Sequence, residues 1–355
     1  MPATGRTGST GSTGRPAGPV TRFSATVELV PVIISVDQTT PKLLTVRSPA
    51  HIAGQGRGAA ALPSGYLDDA LDRTLEQGVR RLVANELGLP VRYFEQLYTF
   101  GNRDRAPDGR ALAVAYLALA RYQPVHGPGE PEWRSCYDLF PWEDWRGGRP
   151  RLIDDVVVPA LERWLATSPA GVLPTRTERA ELTFGTGQAR WDPVRALDRY
   201  ELLYELGLVA EAAAGGKREA GGPRQGAGVT GGALAGDGFE GLGGLGVPLV
   251  FDHRRIAAAA LERLRGKLAY RPVVFEVLPE TFTLSTLQQV VEAFAGQHLH
   301  KQNFRRLVAT ANLVEPTGEA HVRTGGRPAE LYRFRREVLR ERPAPGLGLR
   351  RLGGP

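Results

Sequence analysis

The stretch ALPSGYLDDALDRTLEQGVRRLVANELGLPVRYFEQLYTFG, residues 61–101, decides the fold. Within it Leu71, Leu75, Val79, Leu82 and Val83 recur at the helical spacing of about 3.6 residues, and Gly88 supplies the stop. Upstream, ATVELVPVIISV at 25–36 and KLLTVRS at 42–48 are rich in Val, Ile and Leu with turn residues between them, so both predict strands of one sheet. Downstream, ALAVAYLALARY at 111–122 predicts another buried strand. Strand, strand, helix, strand is the order of a mixed sheet covered by helices, placing the chain in the α/β (mixed α+β) class. Two more helical stretches follow, LIDDVVVPALERWLA at 152–166 and DPVRALDRYELLYELGLV at 192–209. Pro159 is expected to interrupt the first and Gly207 to cap the second.

The 355 residues, 42% hydrophobic and 23% charged, suffice for about two domains of roughly 100 to 200 residues each. A single cysteine, Cys136, excludes an internal disulfide, and no Cys/His spacing fits a structural zinc site. Set among Trp133, Trp142 and Trp145, Cys136 reads as core rather than as a redox sensor. The N-terminal MPATGRTGSTGSTGRPAG has no apolar signal region, and no run approaches the roughly 18 apolar residues of a membrane span. The expectation is a soluble cytoplasmic protein with no membrane partner.

Charge is unevenly placed. Residues 250–355 carry 18 Lys and Arg against 10 Asp and Glu, while the whole chain is only +7. A basic C-terminal third beside a near-neutral remainder is the footprint of a nucleic-acid-binding domain joined to a partner domain. Between them, 14 of the 32 residues from 215 to 246 are glycine, the residue that loses most freedom on ordering. The expected organisation is therefore a disordered tail at 1–20, a first domain with a helical extension at 21–212, a Gly-rich flexible linker at 213–247, a basic domain at 248–342, and a tail at 343–355.

In the basic domain, FTLSTLQQVVEAFAG predicts a helix N-capped by Thr283 or Ser285 and closed by Gly296, with Leu284, Leu287, Val291 and Phe294 on one face. The next segment, HLHKQNFRRLVATANL, predicts a second helix that buries Phe304, Leu307, Val308 and Ala311. Lys301, Gln302, Arg305 and Arg306 are left on its other face. Two short helices, the second presenting Lys, Gln and Arg from its first turns, meet the needs of a helix-turn-helix that reads the major groove, where Arg and Gln pair bidentately with guanine and adenine. Strands near 313–315 and 330–334 then frame a loop with Arg323 and Arg327, a basic wing suited to phosphate or minor-groove contact. His298 and His300, just before the second helix, read as polar surface residues.

The opening stretch resembles the Nudix family, whose signature is Gly, five residues, Glu, seven residues, then Arg-Glu-aliphatic-x-Glu-Glu-x-Gly-aliphatic. Its glutamates hold divalent cations against a pyrophosphate. Arg81, Val83, Glu86, Gly88 and Leu89 match, but Leu82 and Asn85 replace two helix glutamates. Arg73 stands at the loop glutamate's place beside Asp72, and Gly65 lies two residues too far upstream. One acidic position of four survives, so the expectation is a degenerate Nudix-like mixed-sheet sandwich with no catalytic residue, no resident metal and no cofactor.

The C-terminal text LRGKLAYRPVVFEVLPETFTLSTLQQVVEAF, HKQNFRRLV and GRPAELYRF resembles the winged helix of the Nudix-related regulators of NAD metabolism, the NrtR type. PWEDWRGGRP and RYELLYELGLVAEA are similar to the branch described as alphaproteobacterial NAD regulators. The resemblance implies a C-terminal winged helix-turn-helix domain, a homodimer on a duplex operator of NAD-biosynthesis genes, and repression governed by an NAD-related effector, ADP-ribose or NAD. Arg81, Glu86, Arg103 and Arg105 are the candidate effector ligands. Arg81 alternatively supports the box loop, and Asp104 and Asp108 alternatively hold the two later arginines in a surface turn. The competing function is an active Nudix hydrolase acting on ADP-ribose or a related dinucleotide.

Overall fold

The structure, a computed structural model, describes residues 25–48, 59–102, 110–216, 245–321 and 328–348. At its centre β1 (Ala25–Asp37) turns back into β2 (Thr40–Arg47), followed by the two-residue strands β3 (Ala60–Ala61) and β4 (Gly65–Tyr66). Helix α1 (Leu75–Leu87) leads to β5 (Tyr93–Phe100), β6 (Arg110–Leu119) and β7 (Glu132–Ser135). The sheet order is β3-β2-β1-β6-β5, with β4 added to β1 and β7 to β2. Among the described strands of this sheet only β1 and β6 run parallel, from Ala25 opposite Arg110 to Ile34 opposite Leu119. That central pair is apolar on both faces, as strands covered by helices on both sides must be.

Alternation sorts the two faces. Leu29 and Ile33 of β1 and Val114, Tyr116 and Ala118 of β6 pack on the side of Val79, Val83 and Leu87 of α1. Val30, Val32 and Ile34, with Ala113, Ala115 and Leu117, point to the opposite core. That second layer is α7 (His253–Leu268), which lies against β6, β1 and β5. Thus a helix from beyond the Gly-rich stretch completes the sandwich begun by the first domain, so the expected boundary at 247/248 cuts through one packing unit.

Before α7 come α2 (Cys136–Leu139), a 3-10 turn at Pro141–Glu143, α3 (Val158–Ala166), α4 (Leu173–Phe184), α5 (Ala196–Glu205) and α6 (Ala210–Gly216). Pro159 does not break its helix: a π-helical segment, Ile153–Val157, precedes it, and Val158 N–H bonds to the Ile153 carbonyl five residues back. The wider turn accommodates a residue that has no N–H to give and whose ring would crowd a normal α turn. Gly207 (φ 72°) sits just past α5, where Leu208 N–H reaches back to Leu203 O, the Schellman closure expected of that glycine.

After α7 the chain forms a 3-10 turn at Val273–Glu276, then β8 (Thr281–Phe282), α8 (Leu284–Ala295), α9 (Lys301–Ala311), β9 (Val314–His321), β10 (Ala329–Phe334) and α10 (Val338–Glu341). The small sheet is ordered β8-β10-β9, and Phe275 stacks on Phe334 at 4.4 Å between ring centres. The arrangement is a winged helix, with a third strand, β8, that sequence periodicity did not signal.

Two expected bounds shift. The helix α6 carries order to Gly216, and Leu245 and Val247 bond to Leu208 O and Asp138 O, so the ends of the stretch expected as a linker at 213–247 are packed; residues 217–244 lie outside the described residues. Within the expected tail, Leu347 is 1% exposed and its N–H bonds to Leu268 O at the end of α7. The remaining tail positions, 1–20 and 349–355, are outside the described residues.

Candidate functional site

The helix α9 lays Phe304 and Val308 into the core and leaves Lys301, Gln302, Asn303, Arg305 and Arg306 exposed. All four side chains expected to face a major groove on this helix therefore do face solvent. Leu307 and Ala311, expected to be buried, are half-buried at the edge. His300 precedes the helix without giving it a side-chain cap. Arg323 and Arg327 of the wing fall between β9 and β10, outside the described residues.

The turn before α9 is fixed by α8. Thr283, not Ser285, caps α8 by accepting from Thr286 N–H at 3.0 Å. Glu292 accepts from Leu299 N–H at 2.8 Å, while Gln288 donates to Leu299 O at 2.7 Å. Glu292 also faces His298 Nδ1 at 3.2 Å; that imidazole is 72% exposed, in line with its reading as a surface residue, and His300 is exposed too.

The far side of this turn is held by residues outside the winged helix. Tyr137 Oη donates to Ala293 O at 2.7 Å, Arg265 Nε to Phe294 O at 3.0 Å, and Trp145 N–H to Gly296 O at 2.7 Å. Gly296 adopts φ 69°, and a Cβ there would stand 2.3 Å from Glu143 O, so only glycine lets the two segments approach this closely. Beneath the contact, the fully buried Glu143 carboxylate accepts from Arg199 Nε at 2.5 Å and Nη2 at 3.0 Å, and from Arg265 Nη1. Burial alone would push the Glu143 pKa up; the two guanidiniums outweigh it and hold the group below its ordinary value. Sequence reasoning missed this clamp, because its partners lie 56 and 122 residues apart and no local spacing marks them. Nearby Cys136 is 3% exposed, and burial pushes its thiol up to about 12, the behaviour of a core residue.

Around α1, Leu82 is 6% exposed and packs next to Gly65, where a Cβ would meet its Cδ1 at 2.6 Å. Asn85 and Glu86, three and four residues on and so flanking Leu82 along the helix, are exposed. Arg81 is bound bidentately by Asp72, Nε to Oδ1 at 2.7 Å and Nη2 to Oδ2 at 2.6 Å. Asp72 also accepts from Asp68 N–H at 2.8 Å; these bonds outweigh its burial, and the carboxyl is held at about 2 against an ordinary 3.8. The structure thus gives Arg81 a direct partner in the loop before α1, while its charge still acts on Glu86, whose pKa burial nonetheless pushes up. Arg103 and Arg105, the other candidate effector ligands, follow β5 and are outside the described residues. Among the described residues no group of three or more His, Cys, Asp or Glu is placed to hold a metal ion, and no helix is long and apolar enough to cross a membrane.

Residues 274–334 match the family model of the NrtR DNA-binding winged helix domain. A curated relative, the ADPR responsive transcriptional repressor NtrR of Acinetobacter baylyi, is 38% identical over 90 residues, 25% of this chain and 36% of the relative. The match thus spans about a third of that relative's length. The crystal structure of Shewanella oneidensis NrtR complexed with a 27mer DNA aligns over 88% of this chain and 94% of its own, with a TM-score of 0.51 and 22% identity. The NUDIX domain of the same Shewanella protein, complexed with ADP ribose, covers 35% of this chain and 80% of its own, at a TM-score of 0.31 and 28% identity.

Proposed function

We propose that this chain, an NrtR-type winged helix carried on a Nudix-like domain, is a DNA-binding transcriptional repressor of NAD-biosynthesis genes that senses an NAD-related nucleotide. The observation that carries the reading is the exposed face of α9, where Lys301, Gln302, Arg305 and Arg306 stand clear of the protein above a buried Phe304 and Val308. Such a helix, rigidly backed and offering Arg and Gln donors, has the chemistry of direct base readout. The winged-helix family match and the fold shared with a regulator crystallised on DNA support the same reading. Operator half-sites read by a two-fold symmetric homodimer are the expected arrangement.

ADP-ribose is the leading effector and NAD the second candidate. The curated relative is named for its response to ADPR, and the Nudix-like domain is the proposed place for it. We further infer that the domain binds without hydrolysing. Leu82 is turned into the core where a metal-binding glutamate would be needed, Asn85 offers no charge, and Glu86 alone cannot neutralise a pyrophosphate-bound metal. The purified protein should release no AMP from ADP-ribose with magnesium or manganese. Release at ordinary enzyme rates that disappears in Glu86→Gln would establish the hydrolase instead.

A further inference from the structure

Beside α9 lies a cleft of about 730 Å3 whose two walls come from different parts of the chain. One wall is the winged helix itself: Gln297, His298, Leu299 and His300 of the turn, and Asn303 and Phe304 of α9. The other is the helical extension, with Trp145, Arg146 and Arg149 from the segment after the 3-10 turn, and Arg190 and Trp191 from the segment after α4. The two tryptophan rings lie against each other with centres 4.3 Å apart, tilted by 34°, and Arg149 lies over the Trp145 ring at 5.4 Å.

The charges of the extension's wall differ in what holds them. Arg146 is tied to Asp144 through two bonds of 2.8 Å, and Arg149 to Asp154 at 2.8 Å. Arg190 is exposed and has no acidic partner among the described residues. It is thus an uncompensated cation of that wall, across the cleft from His300 and Asn303 at the start of α9. Its place relative to α9 is set by the clamp already described, since Trp145 N–H bonds directly to Gly296 O within the helix-turn-helix.

We propose that this cleft is part of the DNA interface: the helical extension supplies Arg190 as a contact to the sugar-phosphate strand flanking the groove that α9 enters. The inference rests on the DNA-binding reading above and adds a partner surface from outside the winged helix. A polyanion running past the start of the recognition helix would meet the positive charge of Arg190 on the extension's wall. Contacts to phosphate position a protein on duplex without reading sequence. Arg190 should therefore contribute to affinity for every sequence alike.

The test is the salt dependence of duplex binding by the full-length protein, measured by fluorescence anisotropy on a selected operator and on unrelated duplex. Loss of one phosphate contact lowers the slope of log K against log salt by about 0.9. Arg190→Ala should lower it by that amount on both duplexes, Arg190→Glu should weaken binding further, and Arg190→Lys should retain it. Arg190 is exposed and has no acidic partner among the described residues, so the fold is not at stake; thermal unfolding of the three variants should match the unmodified protein. Unchanged slopes in Arg190→Ala and Arg190→Glu, with a reduced slope in Arg305→Ala, would overturn the cleft as an interface while leaving α9 as reader. No duplex binding by the unmodified protein would overturn both readings.

Discussion

At the scale of single residues, two pairs of arginines behave in opposite ways. Arg305 and Arg306 project into solvent and are available to a base edge, so the double alanine variant should lose about 1 to 3 kcal/mol of operator binding for each base contact removed, together with selectivity at those positions. A mobility-shift titration at fixed salt checks this, and unchanged affinity would remove α9 as the reading element. Arg81 and Arg199 are instead committed to carboxylates inside the protein. For Asp72 the sign of the pH effect follows from its pKa, lowered from 3.8 to about 2. Its ionised form stabilises the fold above its unfolded pKa, and the contribution fades as pH falls toward the folded value. The stability difference between the protein and Asp72→Asn should therefore be flat above about pH 5 and close between about pH 4 and pH 2, read from urea unfolding at each pH. The exposed cations of α9 were legible because Phe304 and Val308 repeat at helical spacing and leave the charges on the other face. Arg190 was not, since a single arginine in a connecting segment has no pattern around it.

At the scale of elements, the helices with a clear apolar stripe were found, whereas α4, although closed by the left-handed Gly185, and α7 were not. The box helix starts at Leu75 rather than Leu71: Thr74 accepts from Gln77 N–H at 3.1 Å, and Leu71, first in the apolar stripe, is 63% exposed in the preceding turn. The strand β5 was overlooked because YFEQLYTF alternates poorly and most of it is only half covered. In α7 the apolar signal is diluted by Arg254 and Arg265, which are buried only because Glu211 and Glu143 meet them. The clamp on the α8–α9 turn is therefore invisible in local sequence, yet it should carry measurable stability. Tyr137→Phe deletes one hydrogen bond and should cost about 0.5 to 1.5 kcal/mol, whereas Glu143→Ala leaves two buried guanidiniums uncompensated and should cost about 3 to 5 kcal/mol. Urea midpoints of the two variants give the comparison; equal, small losses would mean that Glu143 is not the centre of the contact.

For the whole molecule, α7 is the shared element. Its Arg263 and Lys267 pair with Glu95 of β5, and its Arg265 reaches Glu143 and the end of α8. One rigid helix thus touches the sheet that carries α1 and the turn that positions α9, so a change in the sheet has a direct physical route to the reading head. The division into a sheet-bearing half and a basic half was legible from charge and glycine content, but not that the sandwich needs a helix from each side of the glycine-rich stretch. Such coupling between two sites is typically about 1 to 3 kcal/mol, a change in affinity of roughly 5- to 150-fold. The most direct test is the dissociation constant of the full-length protein for a duplex selected from genomic fragments, measured at constant salt with and without saturating ADP-ribose. A shift of roughly 5-fold or more, matched by an equal shift in ADP-ribose affinity when the duplex is present, is the predicted result. Identical constants in the two conditions would contradict the effector-sensing regulator.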